Sequence, residues 1–163
     1  MSYLKLMKLL YLADRESMDR YSAPMSDDAA VSMPHGPVLS ATLNLMTGQI
    51  ESPFWRSWIS PDANHEVSLS RPVNSLEDLD ELSEADFEIL ELVWQKFGHL
   101  RRWEIRDLTH TDCPEWVDPG RSSLPIDPRK VFTALGRSEE QADVEAKELF
   151  ERKTLGRAVS ELI

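Results

Sequence analysis

Wound as a helix, the stretch "YLKLMKLLYLAD" near the start of the chain is apolar around almost its whole circumference, so it demands burial on several sides at once. Ser2 is placed to cap its N-terminus, and the helix is expected to run from Tyr3 to about Tyr21. Lys5, Lys8, Arg15 and Asp19 fall close to one stripe and are expected to mark the wet face. A chain end offers little cover of its own. Cover for this helix must come from later helices, from a segment preceding Met1, or from a partner protein.

The next segment, "YSAPMSDDAAVSMPHGP", is dense in turn formers and reads as an irregular connection, with Pro37 opening a helix to about Met46 and Gly48 ending it. Short β-suited runs at Trp58 to Ile59 and Val67 to Leu69 flank the turn-rich Pro61 to Asn64, which predicts a hairpin. Ser83 and Asp86 form a capping box for a helix from Glu84 to Phe97. Its apolar residues Phe87, Leu90, Val93, Trp94 and Phe97 recur at helical spacing. A shorter helix follows at about Arg102 to Thr109, then a loop holding "HTDCPEWVDPG", then a helix capped by Asp127 and Pro128. The expected fold class is mainly α (α+β): a compact multi-helix domain with one small β-hairpin over residues 1–136. Residues 137–163 read as a C-terminal helical appendage, charge-rich, with Leu155, Val159 and Leu162 at helical spacing.

Acidic residues outnumber basic ones 29 to 18, giving a net charge of −11 that opposes attraction to a phosphate backbone, so nucleic acid is disfavoured as a partner. A local basic patch, "GHLRRWEIR", runs against that trend. The single cysteine cannot form an internal disulfide, no apolar run reaches a membrane-spanning length, and no secretory leader is visible. The expected location is cytoplasmic, with no membrane association.

His35, His110, Asp112 and Cys113 are residue types that bind zinc, but they lack the short paired spacings of a structural site. Cys113, followed at once by Pro114, opens no helix whose dipole would activate it, and reads as a buried thiol. Asp27-Asp28 and Glu139-Glu140 read as carboxylates satisfying backbone N–H groups. Asp14 sits on a helix heading for the core and must find a donor. His110, Arg101 or Arg106 would make it a polar tie between the first helix and the "LTHTD" segment. Trp94 and Trp116 read as core or interface anchors, and Trp55, Trp58 and Trp103 as partner-binding positions.

Three stretches in order, "KLMKLLYLADRESMDRY", "VSMPHGPVLSATLNLM" and "LTHTDCPEWVDPG" with "IDPRKVF", resemble the Panacea domain of SocA-like antitoxins across about residues 4 to 135. The matching positions Lys8, Leu9, Tyr11, Asp14, His35, Gly36, Pro37, His110 and Trp116 are read as framework. The resemblance implies a helical antitoxin, of a toxin–antitoxin system in a bacterium or prophage, that neutralises a co-encoded toxin by direct binding. It brings no catalytic residues, so no enzyme activity, cofactor or metal is expected. Its SocA branch implies a second possibility, an adaptor presenting the toxin to ClpX and its protease; a phage-encoded interaction module and a homodimer are further readings. The family pattern also carries a helix before "KLMKLLYLAD", which this chain starts too late to include.

Overall fold

The computed structural model describes residues 1–160. Helix α1 spans Tyr3–Tyr21, with the Ser2 hydroxyl accepting from the Lys5 amide at 3.4 Å. Strands β1 (Ala30–Met33) and β2 (Gly36–Leu39) precede α2 (Ser40–Met46) and α3 (Pro53–Trp58). The hairpin expected from the sequence is present as β3 (Ile59–Asp62) and β4 (Glu66–Leu69). Then come α4 (Glu84–Phe97), α5 (Arg102–Asp112), the short β5 (Leu124–Pro125), α6 (Pro128–Ala134) and α7 (Glu139–Ser160). The architecture is mainly α with a small β component.

Helix α1 is the axis of the core. Leu9, Tyr11, Leu12, Ala13 and Met18 pack with Leu39, Ile89, Ile105 and Phe132, drawn from β2, α4, α5 and α6. Later elements of the chain therefore supply the cover that its composition demands, each fully buried large side chain contributing roughly 1.5–3 kcal/mol. A second cluster, Met7, Val38, Met46 and Val67, forms where the β3–β4 hairpin closes over the start of α1. Backbone bonds between Met1 and Val67 fasten that closure.

Two expectations need correction. The segment "AVSMPHGPVL" is not an irregular lead into a helix: it is a hairpin, with Val31 opposite Val38 and Met33 opposite Gly36. The strand order is β2-β1-β5, so Pro37 and Pro125 lie on edge strands, where a missing N–H is tolerated. Pro37 thus belongs to a strand, and the helix begins at Ser40. Helix α5 also runs on to Asp112, placing His110 inside a helix.

Helix α2 has no cap from the residue preceding it. Asp28 reaches over instead, accepting from the amides of Ala41 at 2.9 Å and Thr42 at 2.8 Å and from the Thr42 hydroxyl. Asp28→Ala is expected to lower stability by about 1 kcal/mol, the usual worth of such a cap. Urea unfolding measures it, and a variant as stable as the parent contradicts this role.

Helix α7 packs against α6 and brings Ala142 and Leu149 into the interior. Arg137 just before it bonds Asp19 and Glu145, and Lys153 bonds Asp27 at 3.0 Å. Its Leu155 and Val159 are exposed. Leu162 lies outside the described residues.

Candidate partner-binding groove

The framework residues of α1 face inward. Lys8, placed on the wet stripe by sequence pattern, is fully buried, and its amine donates to the Pro37 carbonyl at 2.7 Å. That contact explains the misreading: the period counts any lysine as wet, but here a strand carbonyl without a sheet partner on that side receives it. Burial drives the Lys8 pKa down to about 7. Its stripe neighbours are also engaged. Lys5 donates to the Gly98 carbonyl at 2.6 Å, and Arg15 bonds Glu115 at 2.8 Å.

Glu115 also accepts from the Tyr11 hydroxyl at 2.6 Å. Burial, reinforced by this carboxylate, holds the Tyr11 phenol well above its ordinary range. Cys113 is fully buried, and loss of solvent followed by the nearby Glu115 charge pushes its thiol up to about 12. It is an inert packing residue at neutral pH. His110 stacks on Trp116 with ring centroids 4.1 Å apart, and the indole N–H of Trp116 donates to the Met33 carbonyl at 3.0 Å. This pair ties α5 to the β1–β2 hairpin. Burial and then the Lys8 charge lower the His110 pKa.

Asp14 is buried and tied, but to a different partner from those expected. It accepts from the Ser26 amide at 2.8 Å and the Ser26 hydroxyl at 2.5 Å, not from His110, Arg101 or Arg106. The loop after α1 folds back and presents the serine to it. Burial raises its pKa, and the Ser26 bonds oppose that rise.

His35, the one polar framework residue left exposed, sits at the tip of the β1–β2 turn with its ring edge-on to Trp103, centroids 6.1 Å apart. The two rings stand over a cleft of about 490 Å³. Met7, Lys8, Val38 and Leu43 line its interior, and Tyr3, His65 and Arg102 stand with His35 and Trp103 around it. Trp103 is 45% exposed, with the guanidinium carbons of Arg102 and Arg106 at 5.3 and 4.8 Å from its ring. Across the cleft, Asn64 and His65 occupy left-handed backbone at φ 61° and 58°. A left-handed histidine costs about 1 kcal/mol that a glycine would not, and the position holds His65 against Tyr3 at 6.0 Å.

The other two tryptophans assigned to partner binding sit elsewhere. Trp55 is half-buried against the Met7 cluster, and Trp58 lies under the Arg71 guanidinium at 3.4 Å. Phe54 beside them is 71% exposed. The sequence signals Arg102 only through the basic patch "GHLRRWEIR" and carries no such signal for His65. Among the described residues no three His, Cys, Asp or Glu side chains converge as a metal site: His35 is at a turn tip, His110 is stacked, and Cys113 is interior.

The profile described as "Antitoxin SocA-like, Panacea domain" matches residues 6–117, more than two thirds of the chain. The chain belongs to the SocA-like antitoxin Panacea family. The matched segment runs from α1 through α5 and contains every framework position and the whole β1–β2 hairpin; it stops short of "IDPRKVF", which the motif resemblance had included. No curated protein and no solved structure matches. Within the Panacea segment the motif residues do two jobs. Lys8, Tyr11, Gly36, Pro37, His110 and Trp116 knit α1, the hairpin and the end of α5 together, Asp14 holds the loop after α1, and His35 faces the open cleft. No helix among the described residues is long and apolar enough to cross a membrane.

Proposed function

We propose that the protein is an antitoxin that neutralises a co-encoded toxin by direct protein–protein binding. Membership of the SocA-like Panacea family carries this reading. The geometry supports it: apart from His35, the motif's polar groups are consumed in internal ties, while an apolar cleft bordered by Trp103, Tyr3 and two histidines stays open. Aromatic and arginine side chains around a small apolar depression are the usual anchors of a binding face.

The test is expression of the adjacent reading frame with and without this chain. Growth arrest by the neighbour alone, rescue on co-expression and co-purification of the two are the expected results. A neighbour that is harmless, or toxic but neither rescued nor bound, removes the reading.

Delivery of the toxin to ClpX and its protease is a second reading, favoured by α7, whose Leu155 and Val159 are exposed away from its buried Ala142 and Leu149. Under that reading the toxin's half-life shortens when the chain is present and recovers when ClpX is depleted. Under simple neutralisation the half-life is unchanged or longer.

A further inference from the structure

The cleft beside Trp103 departs from the rest of the molecule in charge. The chain carries 29 acidic residues, yet no aspartate or glutamate lines this cleft, while Lys8, His35, His65 and Arg102 do. Arg101 and Arg106 on the same helix turn are paired with Glu104 and Asp107, but Arg102 has no carboxylate partner among the described residues. Its guanidinium instead lies near the face of Trp103. A desolvated apolar floor beside an unpaired guanidinium suits a group that is greasy at its centre and anionic at its edge.

We infer that this groove receives a segment of the partner protein that presents one or two large apolar side chains flanked by carboxylates. The inference rests on the antitoxin reading for the identity of the partner and adds the chemistry by which it is recognised. About 490 Å³ accommodates side chains but not a folded element; clefts of roughly 300–1,000 Å³ typically seat drug-sized groups. The apolar floor of Met7, Val38 and Leu43 takes the greasy part. Arg102 takes a flanking carboxylate, and Trp103 closes over the seam. A nucleic acid is a poorer occupant, because the surrounding charge of −11 repels a phosphate backbone that would have to extend beyond the groove.

A phage-displayed random peptide library selected on the full chain tests this without knowledge of the toxin. The expected enrichment is for peptides with Leu, Phe or Trp next to Asp or Glu. Arg102→Glu is expected to weaken the selected peptides at least about tenfold, the usual effect of reversing a contacting charge, and to shift a fresh selection toward Lys and Arg. Trp103→Ala is expected to abolish binding. Both side chains are exposed, and unchanged thermal melting and circular dichroism separate lost recognition from lost folding. Failure to enrich peptides, enrichment of basic ones, binding indifferent to both variants, or displacement of the peptides by a labelled single-stranded oligonucleotide each overturns the inference.

The toxin supplies the second arm. If the neighbouring product binds the wild-type chain and both variants equally, the antitoxin reading stands and the groove assignment falls. If no neighbour binds but the library yields acid-flanked peptides that Arg102→Glu loses, the groove stands and the antitoxin reading falls.

Discussion

Gly36→Ala is expected to lower the stability of the protein by about 3 kcal/mol, whereas Gly48→Ala lowers it by about 1 kcal/mol. Both glycines hold positive φ, at 97° and 72°, so both substitutions strain the backbone. They differ in what surrounds them. A methyl group at Gly48 meets open space, whereas one at Gly36 comes within 2.9 Å of the Lys8 amine and 3.0 Å of the Thr109 hydroxyl. The end of a lysine ordinarily moves aside at little cost. Here it is fully buried and bonded to the Pro37 carbonyl at 2.7 Å, so moving it leaves an amine and a carbonyl unpaired in the interior. Urea unfolding of the two variants measures the difference. Equal losses would mean that the approach of hairpin, α1 and α5 at this point is slack.

The same junction explains what the sequence displayed and what it hid. Helix α1 was legible from its apolar run and the Ser2 cap, α4 from its apolar period and the Ser83–Asp86 box, and α6 from the Asp127 cap followed by Pro128. The β1–β2–β5 sheet was not, because its two edge strands carry Pro37 and Pro125, and proline suggests a strand only once the pairing partner is known. "MPHGP" reads from its prolines and glycine as an irregular lead into a helix, and the turn formers are there for another reason. The segment is the tip of a hairpin, not the start of a helix. Lys8 was assigned to water because its period matched Lys5 and Arg15, and no local signal distinguishes a lysine that will meet a carbonyl 29 residues later. Asp14 was recognised as a buried carboxylate in need of donors; its partner was missed because Ser26 lies in a loop whose return path only the fold defines.

The groove was half legible. His35 stands out in the sequence as framework and Trp103 as a partner-binding position, with nothing in their spacing to say that their rings meet at 6.1 Å. The carboxylate-free lining around them was harder to see. It comes from distant stretches, with His65 on one hairpin, His35 on another and Arg102 at the start of α5. The net charge of the chain conceals it, because carboxylates concentrate outside the groove.

Between pH 7 and pH 9 the wild-type protein is expected to gain about 2 kcal/mol of stability, and Lys8→Met is expected to gain little. The Lys8 amine titrates near 7 in the folded protein, below its ordinary 10.5, because burial penalises its charge. In this window an unfolded chain holds a proton that the folded protein has begun to release. Unfolding therefore takes up a proton, and raising the pH favours the folded state, by at most about 1.4 kcal/mol per pH unit. The penalty of burying the charge is fully present below about pH 7 and fades as pH approaches 10.5. Other shifted groups fall outside the window. The lowered His110 acts below it, and Tyr11 acts above. Cys113, raised from 9.0 to about 12, works in the opposite direction but only from pH 9 upward. Methionine keeps the length of lysine without its charge and leaves the Pro37 carbonyl lacking a donor, a loss of about 1 kcal/mol. At pH 6 that loss is offset by the charge no longer buried, so the variant is expected to equal or exceed the wild type there and to fall behind it by pH 9. A flat wild-type profile over the same range would mean that the amine stays charged in the interior, and that more than the Pro37 carbonyl holds it.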